Sequence, residues 1–243
     1  MMKKTLIATA MLATTAVAQA EISGNVTLAS DYVFRGISQT SNQIAIQGGF
    51  DYEHESGIYI GTWASNVDSE FFNTGTDPQT ELDGYAGYSG DVGNGFGYDV
   101  GYLRYQYPGA SSAGTNEWHV GGSYSSDSFG DFSLTANYSP SLNFAASDES
   151  AWYWSAGYDT TLPWYEIGLS ASLGYSTGDA FDKNDGDGFN DSYTDWSIGV
   201  SKNVFGVDLG LTYTDTDFSD SDDEDTFDSI ADARVVFSIS KSL

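Results

Sequence analysis

The feature that most constrains this chain is a rhythm. From Ile22 onward the sequence breaks into segments of about ten residues with period-two alternation, divided by clusters of Gly, Asn, Asp and Ser. Read as strands there are twelve, at 22–35, 43–54, 57–67, 80–89, 96–107, 116–126, 131–139, 150–160, 165–177, 192–202, 206–216 and 230–243. Their links alternate in length, short at 55–56, 90–95, 127–130, 161–164 and 203–205, longer at 36–42, 68–79, 108–115, 140–149, 178–191 and 217–229. An even number of antiparallel strands with short turns on one side and long loops on the other is the layout of an outer-membrane barrel. The pattern therefore predicts an all-β, transmembrane, antiparallel up-and-down barrel of about twelve strands, with both termini on the short-turn side.

A bilayer leaves few other options. Every backbone amide in hydrocarbon needs a partner, which only helices and closed barrels supply. No segment after the N-terminus approaches the run of about 20 apolar residues that a spanning helix requires. The N-terminus itself, with Lys3 and Lys4, an apolar run from Leu6 to Ala18 and the small-x-small site Ala18-Gln19-Ala20, reads as a cleaved signal peptide over 1–20. The barrel domain is then 21–243. The chain has no cysteine, so an exported fold must hold without disulfides.

Composition separates this reading from its rivals. The formal charge is −27, and loss of Lys3 and Lys4 with the leader takes two positive charges away, giving −29; such a surface repels nucleic acid and attracts cations. A soluble secreted β-sandwich or barrel also alternates, but its polar row would be rich in Lys and Glu. Here the polar row is Gly, Ser, Thr, Asn and Asp, and aromatics gather near strand ends at Phe96, Tyr98, Phe129, Phe132, Trp164, Tyr165 and Phe205, as interfacial girdles do. In the final segment, "ARVVFSISKSL", Val235, Phe237, Ile239 and Leu243 form one row and Arg234, Ser238, Ser240 and Ser242 the other. That ending resembles the C-terminal insertion signal that outer-membrane proteins present to the barrel assembly machinery, although Leu243 replaces the usual aromatic residue and Lys241 interrupts the row. A lysine there can snorkel its ammonium into water.

Through "SDYVFRGISQT", "AIQGGFDYEHESGIYIGTWASNVD", "ELDGYAGYSGDVG", "YDVGYLRYQYPG" and "NEWHVGGSY" the chain resembles the TorF family of porin-like proteins. The resemblance implies an outer-membrane barrel with a channel role. It carries over no catalytic residue and no substrate.

If the apolar rows face lipid, charged groups line the lumen: Asp31 and Arg35 on the first strand, Asp51 and Glu53 on the second, and Glu81 and Asp83 on the fourth. Later strands add Glu117, His119, Asp159, Glu166, Asp195, Asp208 and Arg234. On strand one this alternation sets Tyr32 and Phe34 at the membrane interface. A lumen lined by acids concentrates cations, and about twelve strands leave only a narrow bore. The function expected is a narrow, cation-leaning passive channel for small solutes or ions. The alternative is a closed structural or cation-binding surface barrel. Two acidic loops bear on it, at 179–191 and 216–229; in the first, Asp185, Asp187 and Asp191 have a carboxylate spacing that could wrap Ca²⁺ or Mg²⁺ and bridge it to lipopolysaccharide phosphates, though no EF-hand register is present. No cofactor is otherwise implied. The two histidines, His54 and His119, lie in no arrangement that a hydrolase would need, so no enzyme is expected.

Overall fold

The structure is a computed structural model that describes residues 21–68, 78–181, 192–218 and 227–243. Twelve antiparallel strands close into a barrel: β1 (Glu21–Ala29), β4 (Ala45–Glu53), β5 (Ile58–Asn66), β6 (Thr80–Gly93), β7 (Phe96–Gln106), β8 (Asn116–Ser126), β9 (Gly130–Ser139), β10 (Ala151–Leu162), β11 (Ile167–Thr177), β12 (Ser192–Val204), β13 (Val207–Thr216) and β14 (Arg234–Ser242). Each strand pairs with its neighbour in the chain, and β14 pairs with β1 to complete the ring, with Thr27 opposite Ser240. Inside this ring, between β1 and β4, lies a two-stranded hairpin of β2 (Val33–Phe34) and β3 (Ile37–Ser38).

The two faces of the wall differ as a membrane requires. Val120, Leu134, Ile198, Leu211 and Phe237 stand exposed on the outer face, and in water so broad an apolar band would be a liability. Phe96, Phe129, Phe132, Trp164, Tyr165 and Phe205 collect at the short-turn end, exposed as an interfacial girdle. A second girdle, which the sequence reading did not name, runs round the long-loop end through Trp118, Trp152, Trp196 and Tyr213. Its rings touch across strands, as in Tyr102 with Trp118 at 4.7 Å and Tyr138 with Trp152 at 4.8 Å.

Two sequence expectations fail at the long-loop end. Strand one stops at Ala29 rather than running to Arg35, because Asp31 accepts hydrogen bonds from Ser38 Oγ (2.6 Å) and Thr40 Oγ1 (2.8 Å) and folds the chain back on itself. The last strand starts at Arg234 rather than 230; Ile230 and Ala231 belong to a short helix, α1 (Phe227–Ala231), and are buried. In consequence Tyr32 and Phe34 are not interfacial anchors. They join a core inside the barrel with Ala45, Trp63, Tyr105, Leu142 and Phe144, with ring contacts between Tyr32 and Trp63 at 5.3 Å and between Phe34 and Tyr105 at 5.8 Å. A smaller cluster of Ile37, Tyr193, Phe218 and Ile230 adjoins it.

Adjacent positions on β13 test which face meets lipid. Leu211→Arg, on the outer face near mid-strand, should destabilise the barrel in vesicles by about 2–4 kcal/mol, whereas Thr212→Arg, on the inner face, should cost far less. Urea titration of reversible folding into vesicles reads the difference, and equal costs would contradict the assignment of faces.

Candidate functional site

The candidate site is the lumen, and its outer half is shaped by residues 30–44. The turn of the inner hairpin is Arg35-Gly36, with φ of 49° and 83° at its two central residues. Positive φ at both positions is the geometry of a tight two-residue hairpin; Gly36 adopts it freely, while for Arg35 it costs about 1–2 kcal/mol. A side chain at position 36 would also collide with the Cβ atoms of Thr216 (2.7 Å) and Asp195 (2.9 Å). The segment is anchored at β1 and β4, yet its tip meets β8, β10, β12 and β13. In a twelve-strand ring β8 and β10 lie across from β1 and β4, so the hairpin spans the lumen.

Polar contacts fasten it there. Arg35 Nη2 is 2.6 Å from Glu117 Oε2 on β8, with Glu117 buried and Arg35 largely so, and its guanidinium lies over the Tyr153 ring of β10 at 4.1 Å. Glu117 also accepts from Tyr105 Oη at 3.2 Å and Ser139 Oγ at 3.3 Å. At the base of the hairpin Arg234 on β14 donates to Asp31 Oδ2 at 3.0 Å and to the Asn42 side chain. Tyr32 Oη donates to Glu81 Oε1 at 2.9 Å; burial, then the charge of Glu81, pushes the Tyr32 phenol well above its ordinary pKa and keeps it a donor.

Below the hairpin the lumen changes character. From β9 round through β14 to β1 the inner row is small and half-buried, with Ser133, Ser172, Ser197, Thr212, Ser238 and Thr27 as examples. The facing wall, β4 to β8, carries the larger groups, which lie along it. A Cβ at Gly61 would sit 2.3 Å from the Tyr85 ring, and one at Gly87 would sit 2.2 Å from Tyr59 Oη. These rings rest on bare glycine backbone instead of reaching across the bore. Tyr85 donates to Asp51; Tyr59 Oη donates to Asp99 Oδ1 at 3.2 Å, and His119 Nε2 contacts the same oxygen.

Most of the sequence-predicted residues fall on the inner row: Asp51, Glu53, Glu81, Asp83, Glu117, His119, Asp159, Asp195, Asp208 and Arg234. Asp31 and Arg35 are also inside, on the hairpin segment rather than on a strand. Glu166 is a correction: it sits in the β10–β11 turn with φ 51° and is exposed beyond the strand ends, because the strand begins only at Ile167. Asp185, Asp187 and Asp191 lie outside the described residues, as does most of the acidic loop at 216–229. Sequence reading missed Asp99, Tyr59 and Tyr153. The signal for Asp99 was its parity with Tyr105, obscured because both rows of that strand hold aromatics.

A family model described as "Bacterial protein of unknown function (Gcw_chp)" matches residues 13–243. No curated protein matches the sequence. Among solved structures, a KdgM porin superposes with a TM-score of 0.59 at 8% identity, covering 91% of this chain and 99% of that one. A NanC porin gives 0.57 at 7% identity, with 90% and 98% covered. A KdgM porin in complex with disordered oligogalacturonate gives 0.55 at 10% identity, with 91% and 98% covered. What this chain shares with them is the fold, that of outer-membrane porins.

Removing one partner of a buried ion pair leaves the other uncompensated, at a cost of about 3–5 kcal/mol. Arg35→Ala should therefore loosen the hairpin, raising amide hydrogen exchange in 30–44 by orders of magnitude while the barrel strands keep their protection. Adding Glu117→Ala should restore part of that protection. Unchanged exchange in Arg35→Ala would show that the pair does not fasten the hairpin.

Proposed function

The chain belongs to the Gcw_chp family of bacterial proteins, whose description names no function, and we propose that it works as an outer-membrane channel for small solutes, narrow, passive and cation-leaning. The observation that carries this reading is the lower lumen. A barrel of this size that served only as a scaffold would fill its interior with large side chains, as small barrels do. Here, below the hairpin, the inner row is mostly Gly, Ser, Thr, Asn and Asp over more than half the ring, and Tyr85 and Tyr59 on the remaining wall lie over glycines. The porin likeness of the fold and the TorF resemblance of the sequence point the same way.

The hairpin supports the narrow part of the proposal. It crosses the bore and packs an apolar core into the long-loop end, so solutes pass beside it or when it moves. The acids support the cation preference. The oligogalacturonate in the KdgM complex is a polyanion, and a bore lined by Asp51, Asp99 and Asp195 disfavours cargo of that charge. The same apolar core favours one rival, a permanently closed surface barrel.

Single-channel recording of residues 21–243 refolded into a planar bilayer separates the two. The channel reading predicts small current steps, rising severalfold in Arg35→Ala. Silence from both proteins, each folded and heat-modifiable, would overturn it in favour of the closed barrel.

A further inference from the structure

The charges of the lumen are distributed unevenly around it. On the β4–β8 wall, β6 presents Glu81, Asp83 and Tyr85 at successive inward positions; Tyr85 reaches Asp51 on β4, and Tyr59 on β5 leads to Asp99 and His119. These groups make a continuous file of carboxylates and phenols running from beneath the hairpin toward the short-turn end. The facing wall is mostly hydroxyls and bare backbone, with a carboxylate at Asp195 near the long-loop end and, set apart from it toward the short-turn end, others at Asp131, Asp159 and Asp208.

This file holds no lysine or arginine. Among the described residues the arginines that face inward are Arg35 and Arg234, paired with Glu117 and Asp31 at the long-loop end. Arg104, Lys202 and Lys241 stand on the outward rows of their strands. Below the hairpin His119 is the one basic side chain facing in, and it shares an oxygen of Asp99 with Tyr59. Two carboxylate oxygens of the file, Asp83 Oδ1 and Asp99 Oδ2, are buried without any hydrogen-bond partner, on side chains at least nine-tenths buried, and Asp195 Oδ2 on the facing wall is in the same state. A buried carboxylate oxygen left unpaired is costly and is stabilised by a cation. No three His, Cys, Asp or Glu side chains among the described residues converge as a metal site. The acids are strung along the wall, which suits a singly charged ion handed from one to the next and not a chelated divalent metal.

We propose that the β4–β8 wall is a cation path, in which Asp51 and Asp99, flanked by Tyr85 and Tyr59, form a station where a small monovalent cation exchanges part of its hydration for carboxylate and phenol oxygens. The proposal rests on the channel reading and names its substrate class: an inorganic monovalent ion, or a protonated amine carrying the same charge. Asp51 and Asp99 are then the residues that set selectivity, while Asp195, on the facing wall, contributes less.

Reversal potentials under a KCl gradient test it on the intact barrel. Wild type should favour K⁺ over Cl⁻, and Asp99→Asn with Asp51→Asn should lower that permeability ratio severalfold, with current still flowing. Asp127→Asn with Asp131 kept, which removes one carboxylate from the exposed β8–β9 turn instead of two from the wall, should leave the ratio unchanged. Replacing K⁺ on one side by ethanolammonium tells an inorganic path from one that also takes amines. If wild type conducts and the double variant keeps its selectivity, the station is overturned while the channel stands. Absence of any current overturns both, and the two failures are told apart by that absence.

Discussion

Everything in this molecule follows from the fact that hydrocarbon offers no partner to a backbone amide. Strands can cross a bilayer only if the last pairs with the first, and here β14 lies against β1 from Asn25 to Ala29 to close the ring. Closure then dictates the side chains. One row must be apolar and meet lipid, and the other is confined to an interior whose width is set by the strand number. Twelve strands enclose more space than a wall of serine and glycine can fill. The chain treats its two ends differently, packing the long-loop half with its own 30–44 segment and lining the short-turn half largely with small polar side chains.

That division also organises the charges. The two arginines that face the lumen both fasten the hairpin segment: Arg35 from its tip to Glu117, and Arg234 from the barrel wall to Asp31 at its base. Because both inward arginines are engaged at that level, the acids below face, among the described residues, no lysine or arginine, and His119 beside Asp99 is the basic group among them. The hairpin and the electrostatics of the bore are thus one arrangement. The hairpin's tip holds Arg35 in a left-handed conformation, a strain that the surrounding ion pair and apolar core sustain.

Much of the barrel was legible in the sequence, because side-chain alternation is a local property. The strand from Asn116 to Ser126 is bounded as its pattern predicts, and the inward rows holding Glu81, Glu117 and Asp195 follow from parity alone. What escaped was tertiary. Tyr32 and Phe34 continue the alternation of strand one so smoothly that the chain reversal at Asp31 leaves no break in the rhythm; the local clue was Arg35-Gly36 between two short apolar runs, a hairpin signal read as strand. In strands 57–67 and 96–107 both rows hold aromatics, so alternation alone does not say which row faces lipid. The structure gives two reasons: Trp63 and Tyr105 face inward to pack on the hairpin, and Tyr59 faces inward to lie over Gly87. Neither partner is visible from one strand. Glu166 was misplaced for the opposite reason, since parity extends past the point where a strand has become a turn.

The central claim is that the lumen is wet below the hairpin and packed at its level. The absence of native cysteine makes this directly measurable by single-cysteine labelling with a membrane-impermeant thiol reagent in proteoliposomes. Cysteine at Ser172 and at Thr212, on the inner row, should react rapidly from the short-turn side. Cysteine at Leu173 and Leu211, facing lipid, and at Ile37, buried against the second core, should react slowly or not at all. Inner-row positions as unreactive as Leu173, or a residue 37 as reactive as Ser172, would contradict the account.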